Sequence, residues 1–199
     1  MTHTMAKVKQ STYEECAKRI GCEVAALKAV ERVETGGRGG FFKEGKPAIL
    51  FEGHIFWQQL KKKGKDPKEL VVGNEDILYP KWTKEHYKGG MDEYGRLEKA
   101  KKIDAEAALM SASWGMFQVM GFNFKDGGYK SVYEFVDAMS KSEDEQIVIA
   151  TNFICNNKEM KKALVNKDWA TFAKLYNGPK YYENKYDEKL ESAYLKYKG

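Results

Sequence analysis

Glu34 and Glu52 are the two residues whose type and setting could carry acid–base chemistry in this 199-residue chain. Leu27 and Val30 precede Glu34 by seven and four positions, so at helical spacing its carboxyl continues the apolar stripe that faces a core. Gly36 and Gly37 follow and supply the left-handed conformations that end helices. The carboxyl then sits at the negative end of a helix dipole. Apolar surroundings and the dipole both disfavour ionisation, as a general acid working near neutrality requires. Periodicity leaves one alternative open, a frayed helix end pointing to water. Glu52 closes a strand-like run that starts at Pro47, and Glu44, in the turn before it, is its rival; a strand end is held more rigidly than a turn tip. A solvated edge-strand glutamate is the ordinary alternative for Glu52. Two carboxylates across a helix-to-hairpin transition suit glycoside cleavage, in which one protonates the leaving oxygen and the other stabilises an oxocarbenium-like centre or activates water.

The elements that must position these groups are mostly helices. Ser11-Thr12-Tyr13-Glu14 reads as a capping box opening a helix that ends at Gly21, and a second helix over 23–34 turns Val24, Leu27, Val30 and Val33 inward. Phe41-Phe42-Lys43, a turn at Glu44-Gly45-Lys46 and a strand over 47–52 predict one β-hairpin, with Leu50 and Glu52 on one face and Ile49 and Phe51 on the other. Pro47 points to an edge strand. A helix over 54–63 follows, then an irregular stretch over 65–82 that reads as a surface excursion. Helices resume through Tyr94, Leu97 and Ala100 and through 104–110, and 111–121 reads as a turn and a buried helix ended by Gly121. Ser131-Val132-Tyr133-Glu134 and Ser142-Glu143-Asp144-Glu145 are two further capping boxes. Helices near 158–165, 169–176 and from 181 onward complete an α+β domain, predominantly helical, with eight or nine helices and one small hairpin.

Composition excludes several classes. With 42% hydrophobic and 32% charged residues the chain suits a charged-surfaced globular protein rather than a disordered one. A net charge of +5 spread among interleaved acids leaves no nucleic-acid footprint, and short apolar runs leave no membrane span. The first five residues lack a basic and an apolar region, so no signal peptide is expected. Cys16, Cys22 and Cys155 read as reduced thiols, a Cys16 to Cys22 bridge being the alternative. His3, His54 and His86 are too scattered for a zinc motif, and no histidine-activated cysteine or phosphate loop is recognisable, so no metal and no cofactor is expected.

Four ordered motifs carry a resemblance. Glu34-Thr35-Gly36-Gly37 with Gly40-Phe41, the run from Pro47 to Phe56 with Glu52-Gly53-His54 inside it, Ser113-Trp114-Gly115-Met116-Phe117-Gln118-Val119-Met120-Gly121, and Trp169 with Phe172 and Tyr176-Asn177-Gly178-Pro179 resemble the N-acetylmuramidase family of bacteriophage endolysins, over about 22–196. That family more usually has serine where Thr35 stands. The resemblance implies a single lysozyme-like domain over 1–199 without a separate wall-binding module, in which Glu34 is the acid cutting the β-1,4 bond between N-acetylmuramic acid and N-acetylglucosamine. It further implies peptidoglycan strands as the partner, a monomer without stable membrane insertion, synthesis in a host cytoplasm and action on the wall after membrane permeabilisation. By the same likeness 115–118 and Tyr176-Asn177 line a sugar groove. On residue chemistry, Trp114 and Phe117 read as core, whereas Gln118 and Asn177 are amides among apolar neighbours that need a partner; a helix-cap role for Asn177 is equally open. A lytic transglycosylase on the same fold and a non-catalytic wall-binding virion protein are the rival readings.

Overall fold

The computed structural model describes residues 7–199; His3 and the N-terminal stretch read for a leader lie outside them. Helices α1 (Gln10–Ile20) and α2 (Val24–Thr35) open the chain, each ended by a left-handed glycine, Gly21 and Gly36. The Ser11 box is not used: α1 starts before it, because the Lys9 N–H is taken by Asp144 Oδ1 at 3.0 Å. Leu27 and Val30 are fully buried on α2, as the stripe predicts.

The β structure is richer than one hairpin. Strands β1 (Phe41–Lys43) and β2 (Lys46–Pro47) pair antiparallel, but the chain then leaves that ribbon at Ala48. Strand β3 (Ile49–Phe51) pairs instead with β4 (Ala112–Trp114), and β4 pairs with β5 (Val119–Met120), an antiparallel sheet in the order β3-β4-β5. The 111–121 segment is therefore a hairpin and not a buried helix. Gly115 (φ +72°) and Gln118 (φ +49°) occupy the left-handed region its turn requires, and β3 offers the ladder that a short apolar run takes when a partner strand is at hand. Ile49 and Phe51 face the core, with Leu50 and Glu52 on the other side, as alternation predicts.

Helix α3 (Gly53–Lys62) and the short α4 (Pro67–Leu70) follow. The 65–82 region is no surface excursion, because Ile77, Leu78 and Tyr79 are buried in the core. Next come α5 (Asp92–Lys101), α6 (Ala105–Met110), α7 (Val132–Met139) and α8 (Glu143–Asn156). The Ser131 and Ser142 boxes do cap α7 and α8, their hydroxyls accepting from the N–H groups of Glu134 and Glu145. Helices α9 (Lys158–Asn166), α10 (Trp169–Asn177) and α11 (Tyr186–Lys198) complete the described chain. Packing runs α2 to α11 to α10 to α9 to α8, which also holds α1 and α7, and α7 leads through α6 to α3 and α5, with α5 also packed against β3. The fold is α+β and predominantly helical. Trp114 and Phe117 are core, and all three cysteines are free thiols.

Candidate active site

Glu34 stands one residue before the end of α2, where the chain turns sharply through Gly36 (φ +56°) and Gly37 (φ +81°). The turn is held from inside by Thr35 Oγ1, which accepts the Gly37 N–H at 2.9 Å. Beside it opens a groove of about 470 Å³, its lining including Thr35, Arg38, Phe41, Phe42, Leu50, Gly89, Gly90, Met116 and Gln118. Glu34 is the one acid among the lining residues.

Its carboxyl is recessed, with the tip open to the groove. Burial raises its pKa to about 7, and a hydrogen bond from Asn177 Nδ2 to Oε1, at 3.0 Å, opposes part of that rise. Asn177 is the last residue of α10, and its Oδ1 is buried without a partner. An amide with one end on the carboxylate and the other unsatisfied is poised to accept a proton donor. Tyr176 is not among the groove's lining residues. It stacks on Phe172, ring centroids 5.4 Å apart, and donates from its hydroxyl to Phe117 O at 2.6 Å; burial first, and the nearby Glu34 charge second, push that hydroxyl well above its ordinary pKa. Gln118 lines the groove and is already satisfied: Nε2 donates to Gly115 O and Ala48 O, and Oε1 accepts from Ser113 Oγ at 2.7 Å. These bonds hold a non-glycine residue at positive φ, a conformation that costs about 1–3 kcal/mol and needs such a frame.

Of the expected site residues, Glu34 and Gln118 thus line the groove, Asn177 donates to the Glu34 carboxyl with Tyr176 beside it, and Glu52 does not line the groove. Glu52 lies where β3 gives way to α3, as the residue preceding that helix, and both carboxylate oxygens accept from the Tyr87 hydroxyl, at 2.8 and 2.7 Å. His54 Nδ1 is 3.4 Å from Glu52 Oε2. Glu44 is exposed in the β1–β2 turn.

Three supporting residues escaped the sequence reading. Gln146, fully buried on α8, donates to Gly40 O and Met139 O and accepts the Met116 N–H at 2.8 Å, tying one groove wall to the other. Gly40 is required there, since a Cβ would collide with the Gln146 amide. Glu93 and Arg96, both buried on α5, form an ion pair at 2.9 Å. Glu93 also accepts N–H bonds from Phe51, Lys88 and Gly89, and Arg96 donates to Phe51 O, so the pair fastens the Gly89-Gly90 wall to β3. Burial alone would raise the Glu93 carboxyl, but the N–H groups of Gly89, Lys88 and Phe51 and then Arg96 hold it below its ordinary value. Glu93 and Arg96 stand three positions apart, a spacing any surface helix can show, so nothing local distinguishes them.

Among the described residues no group of three or more His, Cys, Asp or Glu converges as a metal site, and no helix is long and apolar enough to cross a membrane. Comparison with curated proteins finds no match. The crystal structure of a Burkholderia AP3 phage endolysin is similar, with a TM-score of 0.87 and 39% identity over 99% of this chain and 75% of that one. The N-acetylmuramidase family profile matches residues 23–198, nearly all of the described structure, and with the recessed glutamate and its groove inside that span the chain belongs to the N-acetylmuramidase family.

Proposed function

We propose that the protein is a peptidoglycan hydrolase of the endolysin kind, cleaving the β-1,4 bond between N-acetylmuramic acid and N-acetylglucosamine with Glu34 as general acid, and so lysing bacterial cells. One observation carries this: the groove has a single acid in its lining, and burial keeps the proton of that acid near neutrality, at about 7. A carboxyl with that pKa is protonated often enough to donate and acidic enough to do so quickly. In the proposed course a glycan strand lies along the groove, Glu34 protonates the departing oxygen, and Asn177 holds the carboxylate left behind. Access to the wall from a host cytoplasm would follow membrane permeabilisation.

The placement of Glu52 supports a structural task, orienting Tyr87 at the β3–α3 junction, more than a share in bond cleavage. A groove with one acid also favours a second reading, a lytic transglycosylase in which the sugar's own hydroxyl displaces the leaving group and closes an anhydro ring. Digestion of purified peptidoglycan with end-group mass spectrometry separates the two. Hydrolysis leaves a reducing muramic acid end, whereas the transglycosylase product is lighter by one water. Glu34→Gln is expected to lose about 10²–10⁴-fold in rate while Glu52→Gln loses far less. Full clearing of sacculi by Glu34→Gln would overturn the assignment.

A further inference from the structure

A second, larger depression of about 610 Å³ adjoins the groove, its walls including Lys28, Glu31, Arg32 and Glu143. Arg38, Gly39 and Phe41 line both hollows, so the two meet across the turn over 36–40. The partition is thin because it is largely glycine. A Cβ on Gly39 would come 2.8 Å from Glu143 Oε1, and one on Gly37 would run into the Arg32 guanidinium.

The charges in this hollow are unevenly occupied. Glu31 accepts from the Tyr13 hydroxyl at 2.9 Å, and Glu143 accepts the Gly40 N–H at 2.7 Å. Lys28 donates to Gln10 and lies 5.0 Å from the centre of the Tyr13 ring. Among the described residues neither Arg32 nor Arg38 forms an ion pair. Two guanidinium groups thus line the hollow without an ion-pair partner, Arg32 from the last turn of α2 and Arg38 from the turn that follows Glu34. Planar guanidinium forks bind carboxylates in bidentate fashion, and the bond strengthens where water is partly excluded.

Because the two hollows share a rim, an occupant of this one can be attached to whatever lies in the groove. N-acetylmuramic acid meets that requirement, because its lactyl ether carries a short peptide with free carboxylates. We infer that the hollow is a subsite for the stem-peptide carboxylates of the muramic acid bound beside Glu34, held by Arg32 and Arg38. This rests on the muramidase reading and deepens it: the enzyme would select glycan that still carries its peptides.

Two readouts keep the failures distinguishable. In the first, kcat/KM is compared on peptide-bearing strands and on strands stripped by an amidase. The wild type is expected to prefer the peptide-bearing strands by about tenfold or more, and Arg32→Gln to remove most of that preference, since each lost charge-assisted bond is worth about a factor of ten. In the second, a soluble stem tetrapeptide is titrated into the full-length Glu34→Gln protein and followed by amide NMR. Shifts are expected at 31–40 and to vanish when Arg32→Gln is added, with Arg38→Gln as the substitute if that double variant melts early. An unchanged preference ratio in Arg32→Gln, peptide shifts that fall elsewhere, or equal shifts with poly(glycerol phosphate) would each overturn the subsite. Failure of the wild type to cut either kind of strand would sink the muramidase reading instead, and the peptide titration would still decide the subsite.

Discussion

Glu34 puts its conformational energy and its chemistry in opposition. Its pKa in the folded chain is about 7 against 4.5 for the free side chain, so the folded state binds its proton more tightly than the unfolded state does. Stability from this group is whole below pH 4.5, falls as pH rises from there to about 7, and stays lowered above it. The penalty at alkaline pH is up to about 3 kcal/mol. Glu34→Gln should therefore match the wild type in thermal melts at pH 4 and exceed it at pH 8, while under the proposed role its rate falls by about 10²–10⁴-fold. Asn177 acts in the other direction, its hydrogen bond favouring the carboxylate. Asn177→Ala should move the alkaline limb of the pH–rate profile upward, which kcat/KM measured across pH 5–9 would reveal; a limb that moves downward would mean that another group governs it. The stripe of Leu27, Val30 and Glu34 announced a core-facing carboxyl, yet the partner that trims its pKa lies 143 residues away, beyond the reach of any local pattern.

At the scale of elements, the groove walls include the loops at Gly89-Gly90 and Gly115-Met116, and buried polar side chains bind them to the scaffold. Glu93 and Arg96 do this for Gly89-Gly90, and Gln146 does it for Gly40 and Met116. Glu93→Gln leaves the Arg96 charge buried and uncompensated, and should cost about 3–5 kcal/mol in a urea titration. Because Glu93 is held below its ordinary pKa, the stability it contributes is present above pH 4.5 and is lost as acid protonates it, so the wild type and Glu93→Gln should converge towards low pH. Gln146→Leu keeps the volume and forfeits three hydrogen bonds; it should cost about 2–4 kcal/mol and lower activity in the fraction that remains folded, read by comparing kcat/KM with circular dichroism. The capping boxes at Ser131 and Ser142 were legible because a cap is a local contact. That at Ser11 misled, since a residue from α8 satisfies the backbone two residues earlier, at Lys9.

For the whole molecule, the helix that carries Glu34 is clamped from both sides of the sequence. α1 precedes α2, and α11, the last element, packs along it, with Leu190, Ala193 and Tyr194 buried and the Tyr194 hydroxyl bonded to Glu23. This gives the Tyr- and Lys-rich C-terminal helix a place as a buttress of α2. Leu190→Ala should cost about 2–5 kcal/mol and lower the pKa of Glu34 as water reaches it, followed by thermal melts and by the alkaline limb of the rate profile. By itself, the amino-acid order marked a core-facing glutamate, the helix that presents it, the glycine turn beyond it and a predominantly helical α+β class, because helical period and glycine punctuation act over a few residues. Tertiary structure alone decided that Pro47 to Glu52 splits between two ribbons, that 111–121 is a hairpin, that 77–79 is core, and that Asn177 bonds Glu34 while Glu52 bonds Tyr87. Each of those outcomes rests on a partner far away in the chain, and a short apolar run takes whichever form its distant neighbours can hydrogen-bond and bury.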